Sequence, residues 1–394
     1  MRYVPWLASA MIATAGGVPA LGWSDAFAPG DLDATFSGDG IQISDLGGSD
    51  AAADVAVQPD GKIVAAGSSS GDFVLARYDT AGALDNSFSG DGWVTTDLGG
   101  AESGQGVAIQ ADGKIVVAGS SGGNVALARY DTTGALDASF SGDGLQITDF
   151  GGEDGAAAVA IQADGRIVVA GRSGNDFALA RYDAAGALDN SFSGDGRLTT
   201  DFSGFDSGKD VAIGADGKIV AAGASDTSGD SGPASNFALA RYLADGALDT
   251  GFGGGDGRQT TDFGGRYDTG EGVAVQPDGR IIVAGHGSPA DTFGSYFPSD
   301  FQLSRYDADG ALDTTFSGDG QQTTDFGGDE FGYGVAVQPN GRIVAVGKAP
   351  GAFALARYDA AGSLDPGFSG DGKQTTDVTL LASNVVGVDG CPPG

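Results

Sequence analysis

GVAVQPDGRIIVAG, residues 272–285, is one of six near-copies in the chain. The others are DVAVQPDGKIVAAG (54–67), GVAIQADGKIVVAG (106–119), AVAIQADGRIVVAG (158–171), DVAIGADGKIVAAG (210–223) and GVAVQPNGRIVAVG (334–347). Each holds two short apolar runs around an Asp-Gly or Asn-Gly pair, the strongest short-range signal for a β-hairpin. A length of 394 residues would suggest two or three ordinary domains. Internal repetition overrides that expectation, because one repeated supersecondary unit buries its faces only against its neighbours.

The element LDxxF sets the period. It starts at Leu32, Leu84, Leu136, Leu188, Leu248, Leu312 and Leu364, with spacings of 52, 52, 52, 60, 64 and 52 residues. In the unit that begins at Val107, alternation and turn residues predict four strands: VAIQ, IVVAG, VALARY and ALDASF. A Gly-rich linker, SGDGLQITDFGG, leads to the next unit. Four strands in a meander make an antiparallel sheet with two faces to bury. Packing such sheets around a ring buries both faces and protects the edges. The expected fold is therefore all-β, a six-bladed β-propeller of four-stranded antiparallel blades. A solenoid is the alternative, but its coils are shorter and lack paired hairpins. The first three strands occur six times and LDxxF seven times. The first copy, 32–36, reads as a spare fourth strand that competes with 364–368 for the last blade or adds beside it.

The pattern GVAVQPDGKIVVAG…FALARYDxxGALDxxFSGDG resembles the delta-60 repeat family of secreted bacterial proteins, and its layout is similar to the NHL-type blade. The resemblance covers about residues 32–377. It implies β-propeller blades and brings no catalytic residues with it.

Composition narrows the function classes. Fifty-three acidic against 20 basic side chains give a formal charge of −33, which opposes nucleic acid and anionic membranes. Residues 1–28 read as a signal peptide and short mature N-terminus. Arg2 precedes an apolar stretch from Val4 to Trp23, with small-residue cleavage sites after Ala20 and Ala26. An uncleaved anchor is the competing reading. Residues 29–378 form the propeller and 379–394 a C-terminal tail. No later segment is long or apolar enough to span a bilayer. Cys391 stands alone, so no disulfide framework is expected. A secreted monomer, extracellular, periplasmic or on the cell surface, is the expectation.

Two registers repeat through the units. Arg77, Arg129, Arg181, Arg241, Arg305 and Arg357 sit in the third strand. A buried guanidinium needs a carboxylate or carbonyls, so these read as blade-to-blade staples, with the Asp of LDxxF or of TDF as partner. Five residues before the Val of each first strand lie Asp50, Glu102, Asp154, Asp206, Asp268 and Glu330. They read either as a carboxylate ring that could hold Ca²⁺ or as caps on their own linkers.

The repeats differ in two adjacent units. The connection between the second and third strands expands at 224–236 and 286–300. Phe205, Tyr267 and Phe331 flank the acidic position in units four, five and six, and Phe293, Tyr296 and Phe297 lie in the longer connection. Aromatics beside carboxylates could stack on a sugar or grip a peptide; they could also simply anchor the loops. His286 is the only histidine, which leaves little for a Ser-His-Asp triad or a zinc site. The expectation is a ligand-binding or scaffold module with no assigned catalytic residue. A metal-dependent hydrolase, lactonase- or glycosidase-like and built on carboxylates, is the alternative, and a purely structural repeat protein is the third reading.

Overall fold

The computed structural model describes residues 29–226, 234–265, 267–288 and 299–377. Six four-stranded antiparallel sheets follow one another, each with its strands in chain order. The blades span 50–96, 102–148, 154–200, 206–261, 269–324 and 331–377. First strands of successive blades pack on one another, which places them innermost around the propeller axis. No helix among the described residues is long and apolar enough to cross a membrane.

Blade two shows the plan. Its strands are Glu102–Ile109, Ile115–Ser121, Asn124–Tyr130 and Leu145–Thr148. Val107 to Ile109 pair with Val117 to Ile115 across the ADGK turn, as the Asp-Gly signal predicts. The fourth strand is not the expected one. Leu136 makes a single bridge to Tyr130, and the chain then turns. Asp137 Oδ1 accepts the Ser139 N–H at 3.0 Å and its hydroxyl at 2.7 Å. Such side-chain bonds to nearby backbone favour a turn over a strand. The strand comes instead from LQIT, inside the segment read as linker.

A bulge interrupts every first strand. In blade five it falls between Gly270 and Gly272 and leaves Glu271 without a partner on the neighbouring strand. The bulge drives a carbonyl towards the second strand, and this explains the repeated Ala-Gly or Val-Gly there. A Cβ on Gly285 would lie 1.9 Å from the Thr269 carbonyl oxygen and 2.8 Å from the Phe237 ring.

Blades join through apolar faces. Val64, Phe73, Leu75 and Phe88 of blade one pack against Val107, Ile115, Val117 and Tyr130 of blade two. Burial of such side chains contributes roughly 1.5–3 kcal/mol each. Polar contacts set the register. Arg129 is 3% exposed; its Nε donates to Asp137 Oδ2 at 2.8 Å, and Nη1 donates to the Ala184 carbonyl of blade three. Its guanidinium lies 4.7 Å from the centre of the Phe140 ring. Arg77, Arg181, Arg241 and Arg305 reach the next blade in the same way. Thr96 of blade one and Tyr130 of blade two add a buried hydroxyl pair across their own seam at 2.7 Å.

The seventh LDxxF copy is a second difference from expectation. Residues 32–36 neither compete for blade six nor form a strand. Blade six keeps its own copy. The Ser369 N–H donates to the Pro29 carbonyl at 2.8 Å, and the Ser37 N–H donates to the Ala81 carbonyl of blade one at 2.7 Å. Tyr78 bonds Ser44 at 3.0 Å, where later tyrosines bond the threonine of a preceding blade. The N-terminal segment thus fills an outer seat between blades six and one. The first strands of those two blades lack the packing seen at the other five seams. Val344, Phe353 and Leu355 of blade six, and Ile63, Ala65 and Tyr78 of blade one, are accordingly only half-buried.

Removing one partner of a buried, hydrogen-bonded pair strands the other. Arg129→Met is expected to lower stability by about 3 kcal/mol, read as a shift in the urea unfolding midpoint. A shift no larger than that of an Arg172→Met control, which breaks no ion pair among the described residues, would exclude a staple role for Arg129.

Candidate functional site

All six acidic residues of the register stand where the chain enters the first strand, on the face opposite the ADGK-type turns. Four use one oxygen to hold their own linker. Asp50, Asp154, Asp206 and Asp268 accept the N–H of Leu46, Phe150, Phe202 and Phe263 at 2.6–2.9 Å. Glu102 Oε1 accepts from Gly100 N–H at 2.6 Å and Ser121 Oγ at 2.9 Å.

Three of the six also meet carboxylates of the preceding blade. Asp72 and Asp97 join Glu102, Asp176 and Asp201 join Asp206, and Asp300 and Asp325 join Glu330. In each group one oxygen per residue lies within 4.8 Å of the others. Burial raises the Asp206 carboxyl, and Asp201 and Asp176 push it further the same way. Glu330 is raised to about 7 by burial, then by Asp325 and Asp300. The partners of these three acids come from the ends of the third and fourth strands, which the register alone does not reveal. One signal was present: the residue opening DFVLARY and its copies runs Asp72, Asn124, Asp176, Asn236, Asp300, Ala352.

The aromatic candidates separate into two places. Phe205 is 48% exposed and Tyr267 is 39% exposed. Both stand at the feet of the first long connection. Asp226 N–H donates to the Phe205 carbonyl at 2.9 Å, and Tyr267 bridges Ser235. Strand pairing runs through Asp226 and Ser235, so the strands extend into the expected connection from both ends. Arg172 approaches the Phe205 ring, 5.9 Å from its centre. Phe331 is packed rather than open, 4.7 Å from the His286 ring and 4.2 Å from Lys348 Nζ, and it stacks with Tyr333 at 6.5 Å. Burial holds His286 down to about 4, so it is neutral at pH 7. Phe293, Tyr296 and Phe297 lie outside the described residues. Clefts of about 420 and 520 Å³ open on the opposite face over the Arg129 and Arg77 staples.

Sequence reasoning did not single out the bulge positions. Among them, Lys209, Glu271 and Tyr333 follow one another in blades four, five and six. Glu271 is raised to about 7 by burial, with Asp210 adding and Lys209 opposing. Asp54 and Asp210 are raised to about 7 and about 6, chiefly by burial. Asp210 of blade four also acts on Asp54 of blade one, so charges interact between non-adjacent blades.

The Glu271 shift has a definite pH consequence. Folding favours its neutral form, so its contribution is full below about pH 4.5 and is lost as pH rises through about 7. Glu271→Gln should match the parent protein at pH 4 and exceed it at pH 8 by about 3 kcal/mol. Thermal melts at the two pH values check this; an equal difference at both would contradict it.

No curated protein matches the chain. Three solved structures illustrate what it is similar to. An ulvan lyase of a polysaccharide lyase family has TM-score 0.48 at 11% identity, covering 78% of this chain and 80% of that one. A protein from Lactobacillus plantarum has TM-score 0.44 at 12% identity, covering 77% and 80%. A gluconolactonase from Xanthomonas campestris has TM-score 0.36 at 18% identity, covering 74% and 82%. The model of one family matches residues 58–88, 110–140, 162–192, 214–252, 276–316 and 338–368, one stretch in each blade and more than half the chain. The chain belongs to that family, described as a domain of unknown function (DUF5122) beta-propeller.

Proposed function

We propose that this propeller is an exported ligand-binding module and that its ligand, a neutral or cationic carbohydrate or peptide, docks on the face of blades four to six. One observation carries the reading: Phe205 and Tyr267 are the exposed aromatic rings among the described residues, and both flank the same long connection. Burying an aromatic ring on a ligand is favourable, and stacking adds about 0.5–1.5 kcal/mol per pair. The charge of −33 favours neutral and cationic ligands over anionic ones. Export rests on the N-terminal sequence, and N-terminal sequencing of the mature protein tests it.

Screening glycan and peptide arrays identifies a binder. Phe205→Ala/Tyr267→Ala should then weaken its Kd by about tenfold or more, with an unchanged melting temperature. Undiminished binding in the double variant would exclude this face.

A carboxylate-based hydrolase is favoured by a different observation. Glu271 stands at the bulge of the blade-five first strand, and burial raises its carboxyl to about 7, where a general acid works at neutral pH. Turnover of a sugar lactone or glycoside that disappears in Glu271→Gln at retained fold supports it. Full turnover in that variant excludes Glu271 from the chemistry.

A further inference from the structure

We propose that the propeller binds three calcium ions, each clamped between two blades by a carboxylate triad: Asp72, Asp97 and Glu102 at seam one–two, Asp176, Asp201 and Asp206 at seam three–four, and Asp300, Asp325 and Glu330 at seam five–six. The site belongs to the seams and does not depend on the aromatic face.

Calcium takes oxygen ligands at about 2.3–2.6 Å, so two oxygens on one ion lie at most about 5 Å apart. The three oxygens of each triad fall within 4.8 Å of one another. Acidic clusters alone are common on surfaces. Here the innermost member of each triad is buried and has an oxygen that no donor satisfies. Glu330 is 0% exposed; the Phe326 N–H faces its carboxylate, but neither oxygen has a partner within hydrogen-bond distance. Glu102 is 4% exposed with Oε2 unpartnered, and Asp206 is fully buried with Oδ1 unpartnered. Burying an unsatisfied carboxylate oxygen costs several kcal/mol, and a hard cation removes that cost.

The surroundings leave room for a cation. None of the nine triad carboxylates forms an ion pair with a described Lys or Arg, whereas the Asp of every LDxxF from blade one to blade six does. Asp97, Asp201 and Asp325 each use Oδ1 to accept the N–H two residues on, at Gly99, Ser203 and Gly327. That leaves Oδ2 for an ion. Nearby basic side chains bind the backbone instead: Arg258 takes the Asp201 carbonyl at 2.5 Å and Lys373 the Asp325 carbonyl at 3.1 Å.

The seams alternate, and this provides an internal control. The equivalents of Asp72 at seams two–three and four–five are Asn124 and Asn236, and at the sixth position Ala352. Asp149 and Asp154 otherwise reproduce the Asp201 and Asp206 arrangement. Asp149 caps Gly151, and Asp154 holds Phe150 N–H through Oδ2 with Oδ1 unpartnered. One substitution, Asn124→Asp, therefore completes an Asp-Asp-Asp triad like that of seam three–four.

Calorimetric titration of the full mature chain, stripped with a chelator, uses Ca²⁺ alone as probe up to about 1 mM, the range of extracellular modules. The expected stoichiometry is three per chain. Asp72→Asn/Asp97→Asn should reduce it to two, and Asn124→Asp should raise it to four. Absence of binding in the parent protein overturns the proposal, as does a stoichiometry unchanged by Asp72→Asn/Asp97→Asn. Should that variant fail to give the parent circular dichroism spectrum, Asn124→Asp decides: four ions support the proposal and three overturn it.

Discussion

An arginine held by its own blade and reaching into the next is what makes one body of six similar sheets. Apolar burial drives the sheets together, but it is non-directional, and six near-identical faces could slide past one another. The guanidinium is planar and has five donors in a fixed fork. One edge of Arg129 is committed to Asp137, its face to Phe140, and a remaining donor to a carbonyl of blade three. Only one spacing between blades satisfies all three. The cost of burying the charge is thereby turned into register, and register positions everything on the faces above and below.

The same constraint explains the N-terminal segment. Its LDATF copy has no blade of its own, yet it occupies the seat that a preceding blade would take against blade one, down to the hydroxyl pair between Ser44 and Tyr78. It spans the outer rim only. Behind it the apolar faces of blades six and one stay half-buried, and Arg357 is more open than the other five arginines. Ring closure is therefore carried by backbone hydrogen bonds at the rim rather than by the face-to-face packing of the other seams.

Against a background this regular, the proposed sites lie at departures from the repeat. They are the long connections of blades four and five, the exposed Phe205 and Tyr267, the bulge triplet Lys209, Glu271 and Tyr333, and the alternation of Asp and Asn before the third strand. A rigid scaffold tolerates such departures because hydrogen bonds at neighbouring blades do not depend on them.

Much of this was legible in the chain itself. The Asp-Gly hairpins, the period near 52, the count of six and the need of each arginine for a carboxylate follow from local pattern and from the cost of a buried charge; the structure chooses the LDxxF aspartate over that of TDF. Pattern alone does not place the fourth strand, because ALDASF and LQIT both alternate like strands; Asp137 decides between them by bonding its own turn. What no linear reading could supply is which acids meet. Asp72 and Glu102 are 30 residues apart and belong to different blades, and Phe331 looks as open as Phe205 until His286 and Lys348 close on it. Local residue chemistry determines hairpins and blades; meetings across a seam depend on how neighbouring sheets are twisted and stapled, and only the tertiary structure decides that.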